Sequence, residues 1–593
     1  MHSISEPRRL VGGALAAGLI AGALGLTAAQ ADASSAIGLK GKTLIVKGTG
    51  ASDRLALRLR AGDPGKLEVD VGDNGSADAT FTRTKVKRIR VKAGRGNDQV
   101  RIDDANGAFT NAIPTRIDGQ GGNDALRGGA GAERLNGDAG ADTIDGNAGN
   151  DVANLGAGDD RFIWDPGDGS DTVEGRKGAD TMAFNGSAVG ERLRLSATGT
   201  RTRLTRDVGA ITMDFDGIER VDFASLGGND VLNVDDLAAT KVRTVNHDEA
   251  AALGGAAPDA GTDQTIVGAT NADDAITVAG AAGSAAVTGL AATVNVAHAD
   301  PASDALIVNA LGGDDRVDAS ALGADAMKLT QDGGAGNDTL LGGRGNDVQL
   351  GGDANDALDG NQGDDTALMG AGEDRFTWDP GDGSDTIEGQ AGSDVLAFNG
   401  ANVAEAFDVS ANGGRVRFFR NVANITMDLN DVERIDLNAL GGADQLTVND
   451  VSGTDLTAVN TDLAGTIGGA IGDGAQDQVI VNATNGDDVI APGGAAGGAT
   501  VTGLSATVAI AHAEAAQDTL TVNALAGDDV VEAPGLAADA IRLEASGGDG
   551  ADVLIGGSGP DTLRGEAGDD VLVGGPGVDV LDGGPGSNIV IQD

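Results

Sequence analysis

The sequence predicts an all-β protein in which short strands and tight turns stack into a long solenoid. Three observations predict this fold class. Within residues 332–399 an acidic residue returns at nine-residue steps, and residues 118–331 and 332–545 are two copies of one 214-residue unit. Glycine occurs 98 times, whereas aromatic residues make up only 2% of the chain, with no Tyr and two Trp. Stacked turns need little aromatic bulk, while a large globular core would need more.

Residues 332–399 show the nine-residue repeat most clearly. In each repeat, glycines precede an acidic anchor, and one apolar position follows it. The anchors here are Asp338, Asp347, Asp356, Asp365 and Asp374, then Asp385 after a step of eleven, and Asp394 after a further nine. Glycine permits positive φ, so the first six residues of a repeat predict a tight turn. The last three predict a short strand whose apolar side chain points inward.

The acidic anchors predict a cation site. A carboxylate beside exposed turn carbonyls supplies hard oxygen ligands, which suit Ca²⁺ better than a transition metal. Stacking the turns brings carboxylates of neighbouring coils together, and this arrangement is repulsive unless a divalent cation lies between them. A disordered Gly/Asp-rich tract is the alternative, but disorder requires neither strict spacing nor a regular apolar residue.

The frame Gly-Gly-x-Gly-x-Asp-x-apolar-x closely resembles the nonapeptide repeat of the RTX (haemolysin-type) calcium-binding proteins. The resemblance implies a right-handed parallel β-roll, a β-helix solenoid in which two nonapeptides make one coil. It also implies that each Ca²⁺ lies between a turn and the turn two repeats on. The implied carboxylate pairs are Asp338 with Asp356, Asp347 with Asp365, and Asp356 with Asp374. Neighbouring carbonyls would complete the sites, and the first and last turns of each array would have incomplete ones.

Three arrays carry this repeat, so calcium ions in multiple sites are the expected partner. The predicted metal ligands of the first array are Asp124, Asp142, Asp151, Asp160, Asp171 and Asp180. Those of the second array are Asp338, Asp347, Asp356, Asp365, Asp374, Asp385 and Asp394. Those of the third array are Asp552, Asp561, Asp570 and Asp579. Glu133 and Asn588 occupy anchor positions but depart from Asp, so we leave them out of the ligand set.

The repeats predict the domain organisation. The predicted segments are a signal peptide (1–31), a β-rich diverged repeat or cap (32–117), unit one (118–331), unit two (332–545) and a truncated third array (546–593). Each unit begins with an array (118–184 or 332–398) and continues as a strand-rich segment (185–331 or 399–545). Two interpretations of the strand-rich segments remain open: a continuing solenoid with longer coils, or a separate small β-sandwich. The eleven-residue steps contain Trp164 and Trp378, and we interpret them as enlarged coils with Trp as an apolar plug.

The N-terminus predicts export. Arg8 and Arg9 precede an apolar stretch, and Ala29-Gln30-Ala31 is a small-x-small cleavage site. A retained membrane anchor is the alternative, because the apolar stretch nearly reaches spanning length. We expect cleavage near Ala31 and a secreted mature chain without an integral membrane segment. No Cys is present, which excludes disulfides and thiolate chemistry. We therefore expect bound calcium to stabilise the exported chain in place of disulfide bonds.

The net charge and the lack of catalytic motifs limit the classes of function that the sequence allows. The net charge of −50 disfavours nucleic acid and anionic lipid as partners. The sequence holds no recognisable catalytic motif, and the repeats leave no stretch for a catalytic domain, so we expect that the protein is not an enzyme. Two function classes remain: a calcium-stiffened structural or adhesive component of the cell surface or extracellular matrix, with envelope or matrix components as partners, and a secreted toxin-like effector or binding module acting on other cells.

Overall fold

The computed structural model describes residues 36–592 as two long β-sheets that face each other. The predicted signal peptide lies outside the described residues. Within the described part of the chain there is no α-helix, and the helical segments are the short 3₁₀ turns Arg83–Lys85, Val208–Ala210 and Val422–Asn424. No helix in residues 36–592 is long and apolar enough to cross a membrane. The prediction of an all-β architecture with parallel stacked strands is confirmed.

Among residues 36–592 the first sheet has 26 strands. Its strands are Ala36–Lys40, Thr43–Lys47, Arg88–Arg95, Thr115–Gly121, Arg134–Ala139, Val152–Ala157, Thr172–Lys177, Arg192–Thr198, Arg201–Arg206, Ile211–Asp216, Val231–Val234, Gln264–Gly268, Ala305–Asn309, Lys328–Ala335, Val348–Asp353, Thr366–Gly372, Thr386–Gly392, Ala406–Asn412, Arg415–Arg420, Ile425–Asn430, Gln445–Val448, Gln478–Asn482, Thr519–Asn523, Arg542–Asp549, Thr562–Ala567 and Val580–Asp582.

The second sheet lies on the other side of the core. Its strands are Arg54–Arg60, Asp63–Val71, Ala79–Thr82, Gln99–Asp103, Ala125–Arg127, Thr143–Asp145, Arg161–Trp164, Thr181–Asn185, Arg220–Ala224, Thr244–Asp248, Ala275–Gly280, Ala285–Thr288, Thr293–Ala297, Arg316–Leu322, Thr339–Leu341, Ala357–Asp359, Arg375–Trp378, Val395–Asn399, Arg434–Asn438, Ala458–Asp462, Val489–Ala495, Gly498–Thr502, Thr507–Ala511, Val530–Glu532, Gly535–Leu536, Val553–Ile555, Val571–Val573 and Ile589–Ile591.

Each coil in the arrays gives one strand to each sheet, and neighbouring coils pair in parallel. In the first sheet Arg134 pairs with Val152, and in the second Thr143 pairs with Arg161. The shift between coils is 18 residues, so two nonapeptides fill one coil. At the eleven-residue step the shift grows to 20 residues, as for Arg161 with Thr181. The local period of the sequence therefore sets the register of the sheets.

The apolar residue two positions after each anchor points into a continuous core between the sheets. In the first array these residues, all with 0% exposure, are Leu126, Leu135, Ile144, Ala153, Phe162, Val173 and Met182. Trp164 is buried in the enlarged coil, where its ring stacks on Phe184 at a centroid distance of 4.1 Å. Its Nε1 donates to the carbonyl oxygen of Gly169 at 2.9 Å, which satisfies the polar end of the indole.

The strand-rich segments belong to the same two sheets. In unit one, three antiparallel strands form a meander within the first sheet: Arg192–Thr198, Arg201–Arg206 and Ile211–Asp216. The last of these pairs in parallel with Thr172–Lys177, and the first pairs in parallel with Val231–Val234. The second sheet contains a similar meander later in the segment. The alternative of a separate β-sandwich is therefore wrong.

Glycine at positive φ lets successive coils approach closely, and one position gives a test of this. Gly352 has φ +116°, and a Cβ there would lie 2.0 Å from the carbonyl oxygen of Gly334 in the preceding coil. Gly381 has φ +129°, yet a Cβ there would meet nothing within 4 Å. We expect Gly352→Ala to destabilise the calcium-loaded chain by about 2–4 kcal/mol, since it adds overpacking to backbone strain.

The matched control for this prediction is Gly381→Ala, which carries the backbone strain without the clash. We expect it to cost only about 1 kcal/mol. Urea denaturation of both variants at a fixed calcium concentration measures the difference in the free energy of unfolding. Equal losses would show that close coil approach is not what the glycine provides.

Candidate calcium sites

Two ladders of carboxylates run along opposite edges of the solenoid. The long ladder lies in the turns before strands of the second sheet, and the short ladder in the turns before strands of the first sheet. In the long ladder the backbone N–H of Asp124 donates to Oδ1 of Asp142 at 2.7 Å, and that of Asp142 donates to Oδ1 of Asp160 at 2.7 Å. In the short ladder the N–H of Asp151 donates to Oδ1 of Asp171 at 2.8 Å. Each anchor thus ties its own coil to the preceding one.

The second array repeats this arrangement. The backbone N–H of Asp338 donates to Oδ1 of Asp356 at 2.8 Å, and that of Asp356 donates to Oδ1 of Asp374 at 2.7 Å. On the opposite edge Asp347 donates to Asp365 at 2.7 Å. These are the three pairs that the RTX resemblance implies as neighbours.

The ladders continue to the ends of the arrays. In the first array the backbone N–H of Asp160 donates to Oδ1 of Asp180. In the second array the same type of bond joins Asp374 to Asp394 and Asp365 to Asp385. In the third array Asp552 donates to Asp570 and Asp561 donates to Asp579.

Most predicted ligands keep one carboxylate oxygen that accepts no hydrogen bond from any residue in 36–592. The anchors with such a buried Oδ2 are Asp124, Asp142, Asp151, Asp160, Asp171, Asp180, Asp338, Asp356, Asp365, Asp374, Asp385, Asp394, Asp552 and Asp570. A buried carboxylate oxygen without a donor costs free energy unless a cation or a proton meets it. Rows of such oxygens at coil-to-coil spacing fit hard divalent cations.

Asn588 shows what surrounds this oxygen. It takes the anchor position in the last coil, and its Oδ1 accepts the N–H of Asp570 at 2.8 Å, as an Asp would. Its Nδ2 lies where Oδ2 lies in the other coils and donates to the carbonyl oxygens of Gly583 and Gly584, at 2.5 and 2.9 Å. An aspartate Oδ2 in the same place therefore faces acceptors. Carbonyl oxygens and a carboxylate directed at one point are calcium-type ligands.

The remaining predicted ligands lie at ladder positions where this second oxygen is occupied. Oδ2 of Asp347 accepts the N–H of Gly343, and Oδ2 of Asp561 accepts that of Gly557. Oδ2 of Asp579 accepts Nε2 of Gln592 at 3.0 Å. Asp347 and Asp561 begin their short ladders, where the resemblance implies incomplete sites. Glu133, left out of the prediction, begins the short ladder of the first array and leaves its Oε1 without a donor in the described chain.

The electrostatics of the ladders oppose ionisation without a cation. Burial raises the pKa of Asp151 to about 9, and the charges of Glu133 and Asp171 add to this rise. Burial likewise raises the pKa of Asp365 to about 8, with Asp385 and Asp347 as the neighbouring charges. At neutral pH these groups therefore need either protons or a compensating positive charge.

The ladders extend beyond the predicted ligands, into residues that the sequence interpretation did not assign. Asp98, Asp230, Asp263, Asp315, Asp444 and Asp529 each hold a buried Oδ2 without a donor in the described chain. Asp315 leads into the second array by donating to Asp338 at 2.8 Å, and Asp529 leads into the third by donating to Asp552 at 2.9 Å. The signal was present for Asp98, Asp230, Asp315, Asp444 and Asp529, because each ends a Gly-containing acidic turn that is followed by an apolar-x-apolar strand. Asp263 follows a similar turn, but Thr265 takes the first inward position after it.

Fold and ladders together define a class: a parallel β-solenoid that stacks acidic turns on both edges. The family model of the RTX calcium-binding nonapeptide repeat matches residues 116–132, 127–162, 167–186, 332–367, 381–402, 546–581 and 555–590. These matches lie in the three arrays and extend at most four residues beyond them. The chain therefore carries RTX calcium-binding repeats, as the sequence predicts. No curated protein matches the chain in a comparison of whole sequences.

Replacing one ladder Asp by Asn separates coordination from hydrogen bonding. In Asp356→Asn, Oδ1 can still accept the N–H of Asp338, and Nδ2 can donate to turn carbonyls, as in Asn588. We expect the variant to lose one calcium-linked increment, about 1.4 kcal/mol at 1 mM Ca²⁺ and a Kd near 0.1 mM. The metal-free chain should become no less stable at pH 5, where we expect it to be folded. Calorimetry with calcium at neutral pH and without calcium at pH 5 measures the two quantities.

Asp364→Asn is the matched control for this variant. Asp364 is exposed in the same array, and its Oδ1 accepts the N–H of Ser384 at 2.9 Å, a bond that Asn retains. The change in charge is the same in both variants. If both lose the same calcium-linked stability, net charge rather than coordination explains the effect.

Proposed function

We propose that this protein is a secreted calcium-binding repeat protein whose arrays fold and stiffen on Ca²⁺ outside the cytoplasm, and that it serves as a structural or adhesive component of the cell surface or extracellular matrix. The observation that carries the proposal is the pair of ladders. In all three arrays they contain buried carboxylate oxygens that accept no hydrogen bond from the described residues. Low cytosolic calcium would leave such arrays unfolded before export, and millimolar external calcium would fold them.

A structural role is supported by the continuity of the molecule. The two sheets and their single core run through both units and into the third array, so the repeats form the body of the protein. Because each coil contacts mainly its neighbours, stiffness along the axis depends on every coil being folded. The acidic turns serve the coil-to-coil ladder, and we propose accordingly that the protein is not an enzyme.

The first test is where the chain goes in the cells that produce it. An epitope-tagged full chain is followed in washed cells and in the medium, at millimolar Ca²⁺ and after chelation. We expect retention on the producing cells with calcium and release without it. N-terminal sequencing of the exported chain should show cleavage near Ala31.

A double variant, Asp356→Asn with Asp365→Asn, should lower retention, while Asp364→Asn should not. Recovery only from the medium, together with calcium-dependent binding to foreign cells, would instead support a toxin-like effector or binding module. Recovery only from the cytoplasm would contradict both classes.

A further inference from the structure

A cluster of acidic side chains lies in the strand-rich segment of unit one, outside every nonapeptide match. One carboxylate oxygen each from Glu249, Asp263 and Asp304 lies within 4.8 Å of the others. All three residues are buried. A second group, Asp230 and Asp259 with the shared Asp263, meets the same distance limit. Four acidic side chains thus converge around that of Asp263.

Glu249 distinguishes this cluster from the ladders. Its side chain has 0% exposure, and neither of its oxygens accepts a hydrogen bond from the residues that the structure describes. Nδ1 of His247 lies 3.2 Å from Oε1, but it also lies 2.7 Å from Oγ1 of Thr265. The imidazole of His247 is itself fully buried, and its Nε2 lies 3.1 Å from Oγ of Ser225, so both ring nitrogens have hydroxyl partners. Glu249 therefore lies buried among acids, and no hydrogen-bond donor within the described chain reaches either of its carboxylate oxygens.

The sister unit provides a natural comparison, because the residues 214 positions on differ at this point. Leu463 replaces Glu249, and Thr461 replaces His247. Leu463 is buried with 3% exposure in the same place in the sheet. Asp473, the counterpart of Asp259, accepts the N–H of Gly442 at Oδ2 at 2.8 Å. Unit two thus replaces the inner acid with an apolar side chain and satisfies the outer one by a hydrogen bond.

Asp259 in unit one lacks that hydrogen bond. Its Oδ1 accepts the N–H of Gly261, while its Oδ2 accepts none from residues 36–592. Asp259 and Glu249 lie at the two ends of a surface loop whose sides meet at the bridge between Ala250 and Pro258. A cation held by both ends would fasten this loop to the body of the solenoid.

We infer that Glu249, Asp263 and Asp304 bind a hard divalent cation, with Ca²⁺ the ion that fits best, and that Asp259 and Asp230 complete the site from the loop and the adjoining turn. Carboxylate oxygens are the preferred ligands of Ca²⁺, which tolerates six to eight of them in irregular geometry. The site is specific to unit one, and it depends on a loop-borne Glu rather than on the nonapeptide turn.

Hydrogen exchange of the full mature chain, titrated with CaCl₂, tests the inference at peptide resolution. Residues 244–268 report on the site, and residues 458–482 of the sister unit are the internal control. We expect added protection of 244–268 with calcium, beyond that of 458–482. In Glu249→Leu, which installs the sister residue, this difference should disappear, and bound calcium per chain should fall by one in equilibrium dialysis.

Glu249→Gln preserves shape and should raise the half-saturating calcium concentration of 244–268 at least ten-fold. Wild-type behaviour in this variant would overturn the inference, because it would show that Glu249 is a neutral acid of the fold. An equal calcium response in 244–268 and 458–482 of the wild type would overturn it as well. Peptides from 332–398 in the same experiment report on the arrays, so a failure of this site is distinguishable from a failure of the proposed function.

Discussion

Removal of calcium at neutral pH should unfold the arrays and cause a large loss of the β-sheet signal in circular dichroism. Each site contributes about 1.4 kcal/mol at 1 mM Ca²⁺ and a Kd near 0.1 mM. Several such sites sum to the whole stability of a typical domain, about 5–15 kcal/mol. The metal-free ladders then hold buried like charges, and the glycine-rich turns gain conformational entropy on unfolding.

The decisive measurement is recovery of the circular dichroism signal after chelation, compared for Ca²⁺, Mg²⁺ and salt. Each of these could reduce the repulsion between the ladder carboxylates. After chelation, 1 mM Mg²⁺ should not restore the signal, because Mg²⁺ demands a tight octahedral shell and keeps its waters. Salt at about 1 M should restore little, since screening acts weakly on buried charges. Recovery in salt alone would show that charge repulsion rather than coordination controls folding. Unchanged β content after excess chelator would contradict the calcium-dependent fold.

Amide hydrogen exchange, measured separately for each segment of the chain, tests which part unfolds first. On removal of calcium, the three arrays should lose protection from amide hydrogen exchange first. Their linked anchors are only 18 to 20 residues apart, so buried carboxylates without a hydrogen-bond donor are most closely spaced there. In the strand-rich segments the ladder contacts are 33 to 41 residues apart, and the meanders add strand pairs that need no cation. Simultaneous loss throughout the chain would show that the solenoid unfolds as one cooperative unit.

The arrays could be predicted from the sequence because their information is local. A nine-residue period sets the turn, the strand and the inward apolar position, and two periods close one coil. Asp338 and Asp356 follow from that count, and the structure joins them directly. Asp98 could not be placed in the ladder in this way, because its contact with Asp124 spans 26 residues rather than 18.

The meanders and the Glu249 cluster could not be predicted, because they depend on contacts distant in sequence. The strand Ile211–Asp216 pairs with Thr172–Lys177 across the intervening strands, and no local period encodes that return. Glu249 meets Asp304 only because three turns converge there. Two neighbouring core positions also depart from the pattern: Gln331 and Gln349, both with 0% exposure, take the places that Ile117 and Leu135 hold 214 residues earlier. Nε2 of Gln349 donates to Oε1 of Gln331 at 2.9 Å.

Acidification should refold the calcium-free chain. Burial raises the folded-state pKa of ladder acids such as Asp356 and Asp385 to about 7, while unfolded Asp titrates near 3.9. A raised folded pKa means that the folded chain binds more protons than the unfolded chain between about pH 4 and 7. These groups therefore stabilise the metal-free fold fully below pH 4, and their contribution is lost as pH rises through about 7.

A few surface acids act in the opposite direction and limit the gain at low pH. The hydrogen bond from Arg101 lowers the pKa of Asp73, so the stability from this pair is present above the unfolded pKa and is lost in stronger acid. The metal-free fold should therefore be most stable near pH 4–5. Circular dichroism of a chain freed of calcium by dialysis, without chelator, should show β content rising from pH 7.5 to 5.

The calcium-loaded chain is the control, and it should respond with the opposite sign. Protons compete with Ca²⁺ for the same carboxylates, so acidification should lower its melting temperature while it raises that of the metal-free chain. The two curves should converge near pH 5, where protons replace the cation as the means of neutralising the ladders. If the metal-free chain lost structure between pH 7.5 and 5, the buried carboxylates would not be what keeps it unfolded at neutral pH.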